Sequence, residues 1–364
     1  MLQQNKNHYR VIGLMSGTSL DGLDMVCCDF ENKNGKWNYS VLAAETIEYK
    51  AEWKKTFLKL EQANAAYFCE WDRKIGEYFG QQTAAFISKY HLQHIDFLSS
   101  HGHTIFHQPE KKFTVQVGHG AALAAAAKLP VVCDFRSKDV ALGGQGAPLV
   151  PIGDKLLYSD YDFCLNLGGI ANISFTDKNN QTLAYDVAPA NMVLNFLAQK
   201  AEKQYDAGGA IASKGKTIDS LLNKLNNLAF YSQSFPKSLG KEWVLANVIP
   251  LFETLFEKES INDLMATACE HSAQQIAATV NSTGKSGAKI LVTGGGAFNT
   301  FLINLLVEKL SGKAELIIPD ENTVKFKEAI IFALLGVLRI THSTNALASV
   351  TGAEIDNIGG CVYL

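Results

Sequence analysis

The fold of this chain is decided by the stretch Gly13-Leu-Met-Ser-Gly-Thr-Ser-Leu-Asp-Gly-Leu-Asp24. It joins two mostly apolar segments, residues 10–15 and 24–30, through residues that nearly all favour turns, which predicts a strand, a glycine turn and a second strand. The turn also has the groups that phosphoryl transfer needs, because Gly, Ser and Thr give close backbone approach and hydroxyls, and Asp gives oxygen for Mg²⁺. A plain hairpin turn is the alternative, since the same residues favour turns anyway.

Two more glycine segments extend this pattern. Asn166-Leu-Gly-Gly-Ile-Ala-Asn172 lies between predicted strands and repeats the strand–glycine–strand design, which indicates two related domains. Val292-Thr-Gly-Gly-Gly-Ala-Phe-Asn299 lies between a predicted strand and a predicted helix, whose N-terminus would favour an anion. Each segment alone could be an ordinary turn. Together with the first loop, they match the nucleotide-binding plan of the actin, hexokinase and sugar-kinase superfamily.

The remaining pattern predicts an α/β fold, because strands alternate with helices. Strands are predicted at residues 95–98, 113–117, 131–133, 183–186 and 289–293, in addition to those around the first two loops. Helices are predicted at residues 68–90, 121–128, 191–205, 217–225, 243–258, 263–280, 299–309 and 324–339.

Composition narrows the class of protein. The 364 residues are 47% hydrophobic and 19% charged, which is typical of a globular chain with room for two domains. A net charge of −3 gives no basic surface for nucleic acid. The seven cysteines include no C-x-x-C pair, which favours a reducing compartment. Since no apolar run is long enough to span a membrane, a cytoplasmic protein is expected.

The chain resembles the anhydro-N-acetylmuramic acid kinases, bacterial enzymes of the same superfamily. The longest matching stretch, Asp134-Phe-Arg-Ser-Lys-Asp-Val-Ala-Leu-Gly-Gly-Gln-Gly-Ala-Pro-Leu-Val-Pro151, is the most specific. Shorter matches run nearly from end to end: Met15–Asp24, Ser100–Thr104, His107–Pro109, Asn166–Asn172, Pro236–Glu242, Thr293–Gly296, Lys327–Ala329 and Ser349–Ala353.

The resemblance implies two actin-like (ribonuclease H-like) domains with a nucleotide- and substrate-binding cleft between them. The expected lobes are residues 1–140 plus 343–364, and residues 141–342. It also implies ATP and Mg²⁺ as cofactors, a small sugar as substrate and a homodimer. The implied reaction opens the 1,6-anhydro bridge of 1,6-anhydro-N-acetylmuramic acid with water and phosphorylates O6. The products, N-acetylmuramic acid 6-phosphate and ADP, belong to cell-wall recycling and amino sugar catabolism.

The resemblance also assigns residues to roles. Asp186 is the expected catalytic base, and Asp21 is the expected Mg²⁺ ligand. The residues expected to bind ATP lie in the three glycine segments: Gly17, Thr18, Ser19, Leu20, Asp21, Gly22, Leu23, Asp24, Asn166, Gly168, Gly169, Gly294, Gly295 and Gly296. The residues expected to bind the sugar are His101, His103, Arg136, Asn191 and Glu328.

Three departures from the family pattern bear on the substrate. The family's Asp-Thr-Gly-Pro-Gly-Asn becomes Asp186-Val-Ala-Pro-Ala-Asn191, its His-Gly-Gln becomes His101-Gly-His103, and an Asp becomes His119. A glycine that needs positive φ would not tolerate Ala, so the turn after Asp186 is expected to change its path unless those glycines had ordinary φ.

Structural roles stand beside each functional one. Asp186 could cap a helix, Arg136 could form an ion pair, and Glu328 could be a first-turn charge. Two other functions stay open at this point: a kinase for a different sugar or sugar acid, and a non-catalytic ATP-binding switch.

Overall fold

The computed structural model describes residues 6–234 and 237–364. The chain divides into two compact units, unit 1 (Met1–Leu157 and Phe326–Leu364) and unit 2 (Tyr158–Lys325). These boundaries differ from the predicted lobes, which change at 140/141 and 342/343. Residues 141–157 belong to unit 1 because their helix packs against the last long helix. Gly153 lies against Ile331, and Asp154 forms a buried ion pair with Lys327.

Unit 1 is built around one mixed sheet. Its strands are β1 (His8–Ser16), β2 (Gly22–Lys33), β3 (Lys36–Glu48), β4 (Phe97–Gln108), β5 (Phe113–Val117), β6 (Val131–Cys133) and β12 (Cys361–Tyr363). Its helices are α1 (Ala51–Leu60), α2 (Ala65–Lys89), α3 (Gly120–Ala127), α4 (Ser137–Ala141), α5 (Val150–Leu157), most of α12 (Glu321–Ile340) and α13 (Ala348–Thr351). Among the described residues the strand order is β12-β6-β4-β1-β2-β3, and β5 pairs with β4.

Unit 2 contains a second, smaller mixed sheet. Its strands are β7 (Phe163–Leu167), β8 (Ile170–Thr176), β9 (Thr182–Pro189), β10 (Ala288–Thr293) and β11 (Ala314–Ile317). Its helices are α6 (Asn191–Lys200), α7 (Asp219–Asn226), α8 (Lys241–Asn247), α9 (Ile249–Glu253), α10 (Ile261–Ser282), α11 (Thr300–Lys309) and the first turn of α12. In the described part of this unit the strand order is β11-β10-β7-β8-β9.

The two sheets share one design. In unit 1, β1, β2 and β3 form an antiparallel meander, and β4 and then β6 follow in parallel on the other side of β1. In unit 2, β7, β8 and β9 form the meander, and β10 and then β11 follow in parallel beside β7. The predicted α/β fold and internal repeat are therefore confirmed.

Each sheet packs its apolar side chains into a core with the helices of its own unit. In unit 1 the core includes Ile12, Leu14, Phe79 and Leu123, which are fully buried. In unit 2, Phe163, Leu165 and Ile276 are equally buried. These cores fix the sheets from which the glycine loops project.

Several elements were missed or misplaced by the sequence patterns. Strands β3, β11 and β12 and helices α1, α4, α5, α9 and α13 were not predicted separately, and β4 is much longer than its predicted 95–98. The strand signal for β3 was present, because Asn34-Gly35 forms a turn with both residues at positive φ, as a two-residue hairpin requires. The helix predicted at 243–258 breaks into α8 and α9, and Pro250 lies at the start of α9.

Candidate functional site

The first glycine loop connects β1 to β2 at the surface of unit 1. Thr18, Ser19 and Asp21 are exposed, and Leu20 has a positive φ of 58°. The neighbouring backbone of Gly17 has no crowding beyond the Ser19 hydroxyl, 3.6 Å from where a Cβ would be. The exposed residues Thr18 and Ser19 and the uncrowded backbone of Gly17 therefore lie where a phosphate can approach them.

The last three residues of the predicted loop belong to strand β2. A Cβ at Gly22 would lie 2.5 Å from the Ile47 carbonyl oxygen, so the close approach of β3 requires glycine there. Leu23 is fully buried and pairs with Ser16 and Ile47 across the sheet. The structure thus separates an exposed turn, residues 17–21, from sheet residues whose side chains have structural roles.

The charges of two carboxylates, Asp21 and Glu328, act on a third, Asp24, which lies just after this turn. Burial raises the pKa of Asp24 to about 6; the negative charges of Glu328 and Asp21 raise it further, while a hydrogen bond from the Thr46 hydroxyl (2.5 Å) acts the other way. Glu328 reaches this place because α12 packs directly on β1. A Cβ at Gly13 would lie 2.1 Å from the carbonyl oxygen of Ala329, the residue after Glu328. This corner of unit 1 offers hard oxygen ligands for a cation.

Glu328 is not a first-turn charge as the structural alternative held. Helix α12 begins at Glu321, so Glu328 lies about two turns inside it. Its carboxylate is exposed to solvent, yet the surrounding protein raises its pKa, while Arg136 and Lys327 act against this rise.

Arg136 is held by two uncharged acceptors. Its Nε donates to Nε2 of His101 (3.0 Å), and its Nη1 donates to the carbonyl oxygen of Gly146 (2.7 Å). Among the described residues, no carboxylate lies within ion-pair distance of it. Burial lowers its pKa to about 10, and the more distant charges of Glu328 and Asp139 act against that. The guanidinium stays charged at neutral pH and keeps donors for an anion.

Asp139 fixes the glycine-rich segment that supplies the Gly146 carbonyl. It is fully buried, and its Oδ2 accepts a hydrogen bond from the Gly146 amide (2.8 Å). Its Oδ1 accepts from the Thr351 hydroxyl and the Asn357 amide, each at 2.8 Å. Gly146 has a φ of 68°, which favours glycine. Sequence analysis missed Asp139, although it lies in the most specific matching stretch.

His101 and His103 both lie in β4 rather than in a loop after it. The Nε2 of His101 accepts from Arg136, so its Nδ1 carries the proton that is donated to the Gly102 carbonyl oxygen (3.0 Å). The Nδ1 of His103 bonds to the Ser16 hydroxyl (2.8 Å), which also contacts the Tyr49 hydroxyl (2.7 Å). Burial lowers the pKa of His103 to about 4 and that of His101 well below its usual value. Both rings are neutral at physiological pH.

In unit 2 the second and third glycine segments meet. Thr293 pairs with Asn166, and a Cβ at Gly294 would lie 2.5 Å from the Asn166 Oδ1. Asn191 joins them through its side-chain amide, which donates to the Leu167 carbonyl oxygen (2.9 Å). Around Gly295 the nearest atom to a Cβ is the Asn191 Nδ2, at 3.6 Å. The predicted residues of unit 2 therefore form one group around an open backbone position.

The helix predicted at residues 299–309 is confirmed, but the glycines before it form a separate turn. Residues 295–298 form a short 3₁₀ turn, and α11 begins at Thr300. Asn299 caps α11 by accepting from the Leu302 amide (3.1 Å). Any anion would meet the amides of the glycine turn itself, and the helix dipole argument does not apply.

Asp186 lies near the end of β9 and is not a helix cap. The residue before α6 is Ala190, which makes no side-chain cap. The Oδ2 of Asp186 accepts from the Leu239 amide (2.8 Å) and the Ser238 hydroxyl (3.0 Å), and no described residue donates to its Oδ1. Burial raises the pKa of Asp186, while these two hydrogen bonds act against the rise. One oxygen is anchored and the other is available.

The segment after Asp186 has no residue at positive φ, although it has lost its glycines. Val187, Ala188 and Ala190 are almost completely buried in the core of unit 2. None of them has positive φ, so no left-handed position is violated. The altered turn packs as part of β9. Pro236, in a matching stretch nearby, lies outside the described residues.

Two cavities in the described part of unit 1 lie away from these residues. One of about 610 Å³ is lined by Lys6, Trp37, Lys155, Ser343 and others, and no predicted site residue lines it. The candidate site is therefore defined by its hydrogen bonds and exposed glycine turns. In the described part of the chain, no helix combines the length and the apolar character needed to cross a membrane, and no group of three or more His, Cys, Asp or Glu forms a metal site.

Two copies of one α/β design, each with a glycine turn between its first two strands, define the class of this chain as the actin and sugar-kinase superfamily. A family model described as anhydro-N-acetylmuramic acid kinase matches residues 9–364. The chain belongs to the anhydro-N-acetylmuramic acid kinase family.

Individual members of this family align with the chain over nearly their full length. The anhydro-N-acetylmuramic acid kinase of Aliivibrio fischeri is 34% identical over 97% of this chain and 99% of its own. That of Clostridioides difficile is 32% identical over 94% of this chain and 95% of its own. Among solved structures, (R)-2-hydroxyglutaryl-CoA dehydratase component A of Acidaminococcus fermentans aligns with a TM-score of 0.49 and 12% identity, covering 91% of this chain and 99% of that one. A likeness of that size supports no further argument.

Proposed function

We propose that this chain is an ATP-dependent kinase that opens the 1,6-anhydro ring of 1,6-anhydro-N-acetylmuramic acid and phosphorylates O6. The products are N-acetylmuramic acid 6-phosphate and ADP, and the reaction serves cell-wall recycling and amino sugar catabolism. Family membership over residues 9–364 supports the substrate and the reaction. The observation that carries the mechanism is Asp186, a carboxylate with one oxygen anchored and one available.

Asp186 is the proposed general base. Its Oδ1 takes a proton from water as the water oxygen bonds to the anomeric carbon. The Ser238 and Leu239 donors hold Oδ2 and so orient the carboxylate. Because burial raises the pKa of Asp186, its carboxylate binds a proton more strongly than an exposed Asp does, which suits a general base.

The bond changes balance around the bridge oxygen. As water attacks, the bond from the anomeric carbon to O6 breaks, and O6 bonds to the γ-phosphorus of ATP. The bond between that phosphorus and the ADP oxygen then breaks, and ADP leaves with the electron pair. The proton from water stays on Asp186 and is released to solvent afterwards. O6 therefore needs no separate base, because it leaves carbon as an oxyanion.

The glycine turns are the proposed ATP-binding elements. In unit 1 the residues Thr18 and Ser19 are exposed, and in unit 2 the backbone around Gly295 has room for a ligand. Asn166, Gly168 and Gly169 complete the unit 2 group, with Gly294 and Gly296 beside Gly295. Backbone amides of this kind bind phosphate without bulk positive charge, which suits a net charge of −3.

Mg²⁺ fits the carboxylates of unit 1. Asp21 is exposed and lies close enough to Asp24 to raise its pKa, and both supply the hard oxygen that Mg²⁺ prefers. The lack of a larger ligand cluster in the described residues is compatible with this, because Mg²⁺ with ATP commonly uses one or two carboxylates plus phosphate and water. Asp21 is the proposed ligand, and the ion would neutralise phosphate charge.

Arg136, Glu328, Asn191 and His103 are the proposed sugar-side residues. Arg136 suits an anionic group, such as the lactyl carboxylate of the substrate, because its own partners are uncharged. Glu328 suits sugar hydroxyls, which donate hydrogen bonds to carboxylates. By resemblance we also propose a cytoplasmic homodimer; light scattering during size exclusion tests the dimer.

The test is turnover of the purified protein with ATP, Mg²⁺ and 1,6-anhydro-N-acetylmuramic acid. ADP release is expected, and Asp186→Asn is expected to lose ~10²–10⁴-fold in kcat, the usual contribution of a general base. Asp219→Asn, an exposed change in the first turn of α7, is the matched control and should keep full activity. In oxygen-18 water, label should enter at the anomeric carbon.

Other outcomes would redirect the assignment. No ADP with the anhydrosugar but turnover with another sugar would indicate a different sugar kinase. ATP binding without turnover on any sugar would indicate a nucleotide switch. Full activity in Asp186→Asn would reject Asp186 as the base while leaving the reaction itself in place.

A further inference from the structure

The imidazole of His101 is fully engaged within unit 1. Its Nδ1 donates to the Gly102 carbonyl oxygen, and its Nε2 accepts from the Nε of Arg136. A neutral imidazole has one donor and one acceptor, so neither nitrogen is left for a sugar hydroxyl. The ring is 5% exposed and packs at 4.6 Å, centroid to centroid, against Phe332. A direct substrate contact is therefore the weaker role for this residue.

The direction of the bond to Arg136 decides what the guanidinium can do. Nε points into the protein, to His101, and Nη1 gives one hydrogen to Gly146. Phe332 lies beside the guanidinium plane, 5.7 Å from its central carbon to the ring centroid. Three contacts thus fix the orientation of the plane. The Nη2 edge, together with the second Nη1 hydrogen, carries the donors that these contacts do not use.

The charge of Arg136 is also left uncompensated at close range. The imidazole of His101 and the carbonyl oxygen of Gly146 accept hydrogen bonds from Arg136 without neutralising its charge. A carboxylate in either place would neutralise the guanidinium and weaken its attraction for an anionic ligand. If the imidazole carried a second proton, Nε2 would face the Arg136 N–H with a hydrogen of its own. Other charges facing the ring or the guanidinium come from Glu328, Asp139 and His107, all at longer range.

We infer that His101 is a positioning residue that holds Arg136 so that its free guanidinium edge binds the carboxylate of the substrate. This inference rests on the proposed function and deepens it, because it names what makes the site select a carboxylate-bearing anhydrosugar. Discrimination between 1,6-anhydro-N-acetylmuramic acid and the same anhydrosugar without its lactyl group then depends on His101 without His101 touching either sugar.

The first variant is His101→Phe, which keeps a ring against Phe332 but has no acceptor for Arg136. We expect KM for 1,6-anhydro-N-acetylmuramic acid to rise about 10–100-fold, the range for loss of a well-oriented charged hydrogen bond, with kcat changed much less. His101→Gln offers an amide oxygen as acceptor and should recover at least half of that loss on a logarithmic scale. His8→Phe, at the opposite end of the same sheet, is the matched control and should leave KM unchanged.

A double-mutant cycle separates positioning from general damage. Arg136→Met removes the guanidinium but keeps a long apolar side chain. If His101 acts through Arg136, adding His101→Phe to Arg136→Met should change KM by less than about twofold. If the two losses multiply instead, the inference is wrong. The inference would also be wrong if both His101→Phe and His101→Gln had the wild-type KM.

Thermal unfolding of each variant shows that it is folded under assay conditions. Should His101→Phe fail to fold, His101→Leu, which also lacks an acceptor, completes the cycle with Arg136→Met. If wild-type protein gives no ADP with either sugar, the proposed function fails. If wild type turns over the carboxylate-bearing sugar and His101→Phe does so with the same KM, only the positioning role fails.

Discussion

Replacing Asp139 by Asn tests the buried support of the Gly146 segment. The change keeps the shape of the side chain but removes its charge and turns one acceptor oxygen into an NH₂ donor. That donor must face either the Gly146 amide or the Thr351 and Asn357 groups, all of which donate to Asp139. At least one donor–acceptor contact becomes a donor–donor conflict.

The expected size follows from these three bonds. A hydrogen bond to a charged group contributes about 1.5–3 kcal/mol, and a buried donor left without a partner costs about 1–3 kcal/mol. With one bond lost, one donor unpaired and two bonds weakened, unit 1 should lose about 3–5 kcal/mol. For a unit of this size, that corresponds to roughly 10 °C in Tm.

Tryptophan fluorescence during urea or thermal unfolding measures this loss. Of the four tryptophans, Trp37, Trp53 and Trp71 belong to unit 1, so the signal reports mainly on that unit. Glu70→Gln, an exposed change on α2, is the control and should alter stability by less than about 0.5 kcal/mol. Asp139→Asn should also raise KM for the sugar, because Gly146 holds Arg136. A stability within 0.5 kcal/mol of wild type would refute the reasoning.

Three other changes have clear expected results. Because the pKa of Asp24 in the folded protein is raised to about 6, ionising this carboxyl costs stability as the pH rises from about 4 to 6. Asp24→Asn should therefore be more stable than wild type by roughly 1–2 kcal/mol at pH 7 and equally stable near pH 4. Urea titrations at each pH measure this difference. Gly294→Ala should destabilise unit 2 by at least about 2 kcal/mol, since φ is 80° and the added methyl meets neighbours at 2.5 Å, whereas Gly295→Ala should leave Tm nearly unchanged but weaken ATP binding in calorimetry. The base must be ionised, so kcat/KM should fall as the pH drops through the raised pKa of Asp186. Ser238→Ala removes a hydrogen bond that lowers this pKa, and it should move the acidic limb of the pH–kcat/KM profile to higher pH. An acidic limb that does not move would contradict the assignment of Asp186 as the base.

The sequence was most informative where glycine and hydrophobic patterns were local. The β1–β2 and β7–β8 hairpins, the α2 helix and the strand before Gly294 were predicted at nearly their observed bounds, because their periodicity is written in consecutive residues. Strand β12 was missed because its pairing with β6 joins distant parts of the chain, which no local pattern shows.

The candidate site divides in the same way. Residue types and motifs indicated Asp186, Arg136 and the glycine turns, whose roles stay predictions. They could not indicate that Nε2 of His101 faces Arg136, or that Asp139 anchors Gly146, because these contacts depend on how β4, α4 and the following loop are packed. The helix predicted at residues 299–309 is observed as α11, with Asn299 as its capping residue, but the sequence did not predict the 3₁₀ turn at residues 295–298.

The interrupted sequence of unit 1 has a consequence for synthesis. Unit 2 occupies residues 158–325 without a break, whereas unit 1 needs residues 326–364 to supply α12 and β12. As the chain leaves the ribosome, unit 2 is complete while the strand order of unit 1 still ends at β6 and the β1 position at Gly13 has no helix over it. The second unit along the chain can therefore fold first, and the nascent first unit has to wait with an open sheet edge, the state in which a chaperone would bind it.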